Sequence, residues 1–164
     1  MVVKTSSPAV EVAQLDIAYL GLFLGLRVNE IVRQRMGRAG FKGVRDSHGY
    51  LIQHLIGGDR TASELARRME LSQQAVSKTI SELTALGVVE TAPAQDRRSK
   101  HVRLSRKGWK CVQFQRRVRK QIDKQLSDAA GITEYHEAKA TLIRCLELLG
   151  GMDAIKSRTV RRPD

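Results

Sequence analysis

The chain has little of several features that define other protein classes. Its two cysteines, Cys111 and Cys145, are far apart and fit neither a CxxC motif nor a Cys/His metal site. The longest apolar run, from Ile17 to Leu26, has ten residues, whereas a membrane span needs roughly 18. The first residues also lack the charged-then-apolar order of a signal peptide. We therefore expect a cytoplasmic protein with no membrane partner.

Aromatic residues and catalytic motifs are equally scarce. Three Phe, one Trp and three Tyr provide few rings on which single-stranded nucleic acid would stack. The sequence contains no P-loop, Rossmann glycine fingerprint or HExxH motif, and no Ser/His/Asp order in a recognisable context. The four histidines are scattered. We predict no catalytic residues, no metal site and no cofactor, and hence a protein that is not an enzyme.

Positive charge is abundant. The chain has 164 residues, enough for one domain with a core or for two small lobes that share one. Its 29 Lys and Arg face 17 Asp and Glu, which gives a formal net charge of +12. This balance favours a polyanionic partner, because each neutralised phosphate releases counterions. The alternative is a highly charged protein without such a partner. Where the charges lie along the chain distinguishes the two.

The hydrophobic pattern predicts a mainly α fold with a small β-wing. The only strand signals, 88–91 and 101–104, flank the charged segment 93–100. Before them we predict helices from Val12 to Met36, from an N-cap at Ser47 to a stop at Gly57-Gly58, and over 62–69 and 73–86. After them, we expect a helix capped by Ser105 that reaches about Ser127, and one capped by Thr133 that ends at Gly150-Gly151.

The terminal helices suggest assembly. Residues 17–26 are apolar on all sides, so a single neighbouring helix would not cover them. The last predicted helix adds Leu142, Ile143, Leu146, Leu148 and Leu149. We predict one domain over 1–164, with dimerisation helices at 10–38 and 105–150, a winged helix-turn-helix lobe at 47–104 and a basic tail at 152–164. A homodimer follows from this arrangement; a monomer whose core uses these residues is the alternative.

Two short helices in the middle of the chain have the form of a helix-turn-helix. Thr61 or Ala62 opens the first, and Ser72 caps the second after a short turn. The second helix points Val76, Ile80 and Leu83 inward and presents hydroxyls, amides and one cation outward, as a major-groove reader does. An ordinary solvated helix face, the alternative, usually carries Glu/Lys pairs. The candidate DNA contacts here are Thr61, Ser63, Ser72, Gln73, Gln74, Ser77, Lys78 and Ser81.

The β segment that follows predicts a wing. Its loop holds Asp96, Arg97, Arg98 and Lys100, all four of which are candidate DNA contacts. Arginine is favoured in a narrow minor groove, where negative potential is concentrated. Asp96 would orient one arginine through a charge-assisted pair. A charged hairpin tip that only interacts with solvent is the alternative.

Five segments together resemble the MarR (multiple-antibiotic-resistance regulator) family. They are Thr-Ala-Ser-Glu-Leu-Ala (61–66), Ser-Gln-Gln-Ala-Val-Ser-Lys-Thr-Ile-Ser-Glu-Leu (72–83), Leu-Gly-Val-Val-Glu (86–90), Asp-Arg-Arg-Ser-Lys (96–100) and Leu-Ser-Arg-Lys-Gly (104–108). The resemblance implies a winged helix-turn-helix homodimer, usually a repressor, that binds double-stranded DNA. It also implies that Ser72 to Leu86 form the recognition helix and that Arg98 enters the minor groove.

The resemblance also implies a small-molecule effector, often aromatic or acidic, bound between the dimerisation helices and the DNA-binding lobe. The candidate ligand residues are Tyr19, Phe23, Arg27, Arg45, His48 and Trp109. The alternative is that the rings are core residues and that His48 satisfies a helix start. The redox branch of the family uses a cysteine near the N-terminus, which this chain lacks. Oxidation of Cys111, flanked by Lys107 and Lys110, is a further hypothesis.

Two other functions compete with a sequence-specific regulator. A non-specific architectural DNA-binding protein is suggested by the basic fifth helix, which carries Arg106, Lys107, Lys110, Arg116, Arg117, Arg119, Lys120 and Lys124. Its signature is a steep salt dependence without preference for a palindrome. A protein-interaction module that keeps the fold but not the groove contacts is the third hypothesis, and the polar helix face argues against it.

Overall fold

The computed structural model describes residues 10–93 and 100–157 and confirms the expected class, a mainly α fold with a small antiparallel sheet. A 3-10 turn over Val12–Gln14 precedes the first helix. The helices are α1 (Ile17–Arg38), α2 (Asp46–Leu55), α3 (Ala62–Met69), α4 (Gln73–Ala85), α5 (Arg106–Ala130), α6 (Ile132–Leu148) and α7 (Met152–Ser157). The strands are β1 (Arg60–Thr61), β2 (Val89–Pro93) and β3 (Lys100–Leu104).

Side-chain caps begin the helices of the winged lobe where the sequence predicted them. Thr61 accepts a hydrogen bond from the amide of Glu64, Ser72 from the amide of Ala75 at 3.2 Å, and Ser105 from the amide of Gly108 at 3.0 Å. Each bond satisfies one of the amides that a helix start leaves without an intrahelical partner.

Three predicted helix starts were wrong. Asp16 accepts from the Tyr19 amide at 2.8 Å, so α1 begins there and not at Val12. At α2 the N-cap is Arg45 rather than Ser47, because the His48 ring supplies the acceptor. Gly131, with φ 93°, is the N-cap of α6 and has no side chain to accept a hydrogen bond. Thr133 lies inside the helix and is therefore not the cap that the sequence had predicted. The predicted basic tail begins with a helix, α7, and its residues 158–164 lie outside the described part.

The sheet has the order β1-β3-β2, and both pairings are antiparallel. Val102 of β3 lies between Arg60 of β1 and Thr91 of β2. The sequence did not reveal β1, because two residues are too short to show an alternating pattern. The sheet places the wing strands beside the start of α3, so that the wing and the helix-turn-helix share one base.

Two apolar clusters form the core. The first fills the winged lobe and includes Leu51, Leu65, Val76 and Leu83, each fully buried. Val76 and Leu83 thus point inward as predicted, and Ile80 is partly buried against the same cluster. The second joins α1 to α5 and consists of Val32, Met36, Cys111, Val118 and Ile122. α5 contributes to both clusters, since its Val112 belongs to the first.

A large apolar surface is left uncovered by the described part of the chain. We call it the terminal apolar surface: exposed side chains on the N-terminal half of α1 and at α6, namely Ile17, Leu20, Leu22, Phe23, Leu24, Leu26, Leu142, Ile143, Leu146, Leu148 and Leu149. The exposed fraction is 54% for Leu22 and Phe23 and 86% for Leu148. Exposed patches of this kind mark interaction sites. Within 10–93 and 100–157, the helices are all too short or too polar to cross a membrane.

Candidate nucleic-acid interface

The outward face of α4 is polar, exposed and free of acids. Gln74, Ser77, Lys78 and Ser81 all lie on it and are exposed, with Gln73 beside them. The face combines amide, hydroxyl and ammonium groups, which donate to and accept from base edges and phosphates. The structure therefore brings together the residues that the sequence predicted as a reading face.

The turn between α3 and α4 fixes the angle of the two helices. Glu70 adopts a left-handed conformation with φ 54°, and the Leu71 amide donates to the Ala66 carbonyl at 3.0 Å. Ala66 is buried where the helices meet. A larger side chain at this contact would separate the helices, because the core is close-packed.

Four of the predicted contact residues have partners inside the protein: Thr61, Ser63, Gln73, and Ser72, whose hydroxyl caps α4. The Thr61 hydroxyl accepts from the Glu64 amide at 3.2 Å, and the Thr61 amide donates to the Glu64 carboxylate at 2.7 Å, which forms a capping box. The Thr61 hydroxyl also donates to that carboxylate at 3.1 Å. The hydrogen bond from the Thr61 amide, followed by that from its hydroxyl, holds the pKa of Glu64 below its usual range. The Ser63 hydroxyl accepts from the Gln73 side-chain amide at 3.2 Å, so it links α3 to the start of α4.

Glu82 of α4 joins the start of α2 through what we call the α2–α4 clasp, made of Arg45, His48 and Glu82. His48 is 2% exposed; its Nδ1 accepts from the Arg45 amide at 3.2 Å, and its Nε2 lies 3.0 Å from the Glu82 carboxylate. Because Nδ1 accepts, Nε2 is the donor to Glu82. The Arg45 guanidinium also pairs with Glu82. The hydrogen bond from His48, followed by that from Arg45, lowers the pKa of Glu82.

The clasp gives two predicted ligand residues a different role. Arg45 and His48 bind Glu82, so they position α4 instead of lining a free cleft. The sequence analysis noted that Glu82 lies outside the reading face but assigned it no partner. Its partner is 34 positions away in the chain, and periodicity within one helix contains no information about such a distant contact.

The other predicted ligand residues do not converge with Arg45 and His48. Tyr19 and Phe23 contact each other with ring centroids 5.1 Å apart on the terminal apolar surface, and Arg27 pairs with Glu30 at 2.5 Å. Trp109 is 40% exposed on α5. Among the described residues, no hydrogen bond, ion pair or ring contact connects Tyr19, Phe23 or Arg27 to Trp109 or to the α2–α4 clasp.

An open cavity of about 360 Å³ lies elsewhere, between the α1–α2 loop and α5. Phe41 and Phe114 form part of its wall, with ring centroids 5.7 Å apart, and Lys110 and Arg117 stand at its sides. The predicted ligand residues are not among those that line it. No sequence pattern indicates this cavity, because it depends on how the loop folds against α5.

The wing strands are described up to the loop. Lys100 is exposed at the first position of β3, paired with Pro93 of β2. Arg103 of β3 donates to Glu90 of β2 at 2.8 Å, so this cation of the wing is paired within the sheet. Asp96, Arg97 and Arg98 fall in 94–99, outside the described residues, so their contacts with DNA stay predictions.

The joint between the wing and α5 depends on Gly108, whose role the sequence analysis missed. Ser105 donates through its hydroxyl to the Gly87 carbonyl at 2.6 Å, and its amide donates to the Val88 carbonyl at 3.0 Å. A Cβ on Gly108 would lie less than 3.0 Å from that Val88 oxygen and 3.2 Å from Leu104 Cδ2. Gly108 ends the Leu-Ser-Arg-Lys-Gly segment. A glycine at that position of the sequence could have indicated that another part of the backbone approaches the start of α5 closely.

The cysteines are free thiols in different surroundings. Cys111 is 1% exposed in the core between α1 and α5, whereas Cys145 is half-buried. Burial raises the pKa of Cys111 to about 11, and nearby Lys107 offsets only part of this effect. The idea of an exposed, activated Cys111 was wrong, because the thiolate is the reactive form and burial disfavours it. Over 10–93 and 100–157, His, Cys, Asp and Glu form no cluster suited to a metal ion.

Comparisons with known proteins agree with this geometry. Residues 42–99 match the family model described as "MarR family". The chain resembles the MarR family over this segment, which is 58 of its 164 residues. Its fold is similar to that of MepR, a transcription regulator of the Staphylococcus aureus multidrug efflux pump MepA, with a TM-score of 0.67 and 17% identity over 82% of this chain and 99% of that chain.

Two further structures show the same fold. The S. aureus MepR–DNA complex matches with a TM-score of 0.66 and 20% identity over 80% of this chain and 98% of that chain. Apo MarR from E. coli matches with a TM-score of 0.61 and 16% identity over 80% and 97%. Among the curated proteins, no relative matches. The matched segment thus contains the whole α2–α4 clasp, the helix-turn-helix and the first wing strand, β2, and it ends just before β3.

Proposed function

We propose that this protein is a sequence-specific, DNA-binding transcriptional regulator of the cytoplasm. The observation that carries the proposal is the exposed face of α4, which offers Gln74, Ser77 and Lys78 without an acid among them. Because α4 is held by a buried apolar side and by the α2–α4 clasp, this face is presented on a rigid support. The MepR structure with DNA supports a duplex as the partner.

We further propose a homodimer, supported by the terminal apolar surface. A second copy of the chain would cover it from α1 and α6 at once. Two copies would place two α4 helices in major grooves about one helical turn apart, roughly 34–36 Å, on a palindromic site. A bound dimer represses transcription when such a site overlaps a promoter.

The dimer is tested with the paired substitutions Leu142→Glu and Leu146→Glu on α6. We expect a monomer in sedimentation equilibrium. Burial of two unpaired carboxylates per chain would cost more free energy than the apolar contact between the two copies provides. Gln53→Glu with Gln125→Glu adds the same charge at exposed polar positions outside the terminal apolar surface. A dimer of unchanged affinity in the leucine variant would contradict the proposed interface.

The DNA proposal is tested by competition among genomic fragments at about 0.15 M salt, followed by footprinting of any preferred fragment. We expect a protected palindrome with half-sites about 10 base pairs apart. Gln74→Ala with Ser77→Ala should weaken operator binding by about 5- to 150-fold, the equivalent of about 1–3 kcal/mol for a lost base contact. Gln53→Ala with Gln125→Ala is the control. Uniform binding to all fragments would favour the architectural protein instead.

Release by a small effector is the least supported part of the proposal. Its predicted residues are divided among α1, α5 and the clasp, and Arg45 and His48 bind Glu82. The test is displacement of the preferred fragment by a panel of small aromatic acids. Displacement that Tyr19→Ala or Phe23→Ala abolishes would assign the effector to α1.

A further inference from the structure

α5 carries a row of cations that the proposed function does not use. Arg106, Lys110, Arg117 and Lys120 follow each other at intervals of four, seven and three residues, so they lie on one side of the helix. All four are exposed. We call this row the α5 basic stripe. With a rise of 1.5 Å per residue, its 14-residue length corresponds to about 21 Å.

No acid among residues 10–93 and 100–157 neutralises the stripe. The first acid after Ser105 is Asp123, which accepts a hydrogen bond from Tyr135. The next, Asp128, pairs with Lys124 at 2.6 Å. No hydrogen bond or ion pair recorded for the described residues involves the side chains of Arg106, Lys110, Arg117 or Lys120.

Several exposed cations near the stripe or elsewhere in the protein are engaged locally, whereas the four cations of the stripe are not. Arg33 pairs with Asp46, and Arg103 with Glu90. On α5 itself, Lys107 donates to the Leu86 carbonyl at 2.8 Å and Arg119 to Asn29. A row of unpaired like charges destabilises the isolated protein, and a polyanion would relieve this repulsion.

The surroundings of the stripe add to its charge. Ala39 and Phe41 of the α1–α2 loop line the same open cavity as Lys110 and Arg117, so the loop lies beside the stripe. Arg38 and Lys42, next to those two residues in the chain, are also exposed. The stripe begins at Arg106, directly after the wing strand β3.

We propose that the α5 basic stripe binds the sugar–phosphate backbone of double-stranded DNA, as a second contact surface apart from the reading face of α4. Duplex DNA carries one charge per about 1.7 Å of its axis, so a straight row of about 21 Å faces phosphates along its whole length. Single-strand binding relies on stacking against several exposed rings. Beside the stripe, Phe41 and Phe114 are partly buried against each other, and Trp109 is the exposed ring of α5. One exposed ring is a poor platform for a single strand, so a duplex fits the row of cations better. The contact is independent of base sequence and does not require specific reading by α4.

The test compares two triple variants that remove equal charge. The first, Lys110→Gln, Arg117→Gln and Lys120→Gln, removes the stripe but leaves Arg106 beside the α5 cap. The control, Lys139→Gln, Arg144→Gln and Lys156→Gln, changes exposed cations on α6 and on α7. Binding to a random duplex of about 40 base pairs is measured across a salt series, and circular dichroism confirms that both variants fold.

We expect the stripe variant to lower the slope of log K against log salt by about 0.9 for each lost phosphate contact, up to about 2.7 per subunit. The control should keep the slope of the unaltered protein. Equal slopes in both variants would overturn the proposal, since total charge would then explain the binding. Tighter binding of an equally long single strand would overturn the choice of duplex.

A third variant, Gln74→Ala with Ser77→Ala, separates this inference from the proposed function. We expect this variant to lose its preference for an operator. On random duplex, its slope of log K against log salt should equal that of the unaltered protein. Suppose that the unaltered protein prefers no genomic fragment, while the stripe variant still has a lower slope of log K against log salt. The proposed function would then be wrong, and backbone binding by the stripe would be supported. If the α4 variant alone abolishes binding to random duplex, the stripe is not a second surface.

Discussion

The close contact at Gly108 makes Gly108→Ala a sharp test of how the wing is attached to α5. In an unobstructed helix, alanine is more favourable than glycine by about 0.8–1.0 kcal/mol. At this position the added methyl group would collide with the Val88 carbonyl oxygen, a backbone atom that also accepts from Ser105. Overpacking of a well-packed site costs about 1–3 kcal/mol. We expect net destabilisation, because the backbone must move and Ser105 then loses its acceptors.

The measurement is thermal unfolding followed by circular dichroism, at fixed protein concentration. A loss of about 1–3 kcal/mol corresponds to a Tm lowered by roughly 2–12 °C for a chain of this size. Gly49→Ala is the matched control: Gly49 lies inside α2 with nothing within 4 Å of a built Cβ. The control should raise Tm by a few degrees. A Gly108→Ala variant as stable as the control would refute the proposed close approach.

Three other predictions address the cap of α4, the clasp and the buried thiol. Ser72→Ala should lower Tm by about 2–4 °C, since a lost N-cap costs about 1 kcal/mol; an unchanged Tm would show that the cap is dispensable. Glu82→Gln should be less stable than the unaltered protein at pH 7. Because the folded-state pKa of Glu82 is lowered, the difference should shrink as pH falls below the ordinary value of about 4.3, and a difference constant from pH 7 to 3 would contradict the clasp. A thiol reagent at pH 8 should label Cys145 before Cys111, with mass spectrometry as the readout, and the reverse order would contradict the burial of Cys111.

The parts of the fold that depend on local signals were predictable from the sequence. Ser72 and Ser105 cap the helices they were expected to cap, because an N-cap acts within three residues of itself. Val76 and Leu83 are buried because a seven-residue interval returns to the same side of a helix. The polar face of α4 follows from the same periodicity, so the candidate DNA interface was visible before the fold was known.

The features that depend on distant contacts were not predictable in this way. His48 replaces the expected Ser47 cap because its ring reaches back to Arg45 while Glu82, on another helix, holds its other nitrogen. Gly131 links α5 to α6 through a left-handed backbone, which hydrophobic periodicity does not report. The predicted ligand set failed to converge for the same reason: its members were chosen by residue type, and their positions depend on how three helices pack.

The division of neighbouring α5 residues between two cores has a consequence for how this protein can change over time. Cys111 packs between α1 and α5, whereas Val112 packs into the winged lobe. A larger side chain at Cys111 would push α5 away from α1, and the helix would carry Val112 with it. We therefore expect substitutions at these two positions to occur as compensating pairs among close relatives, with the volume gained in one core matched by an adjustment in the other.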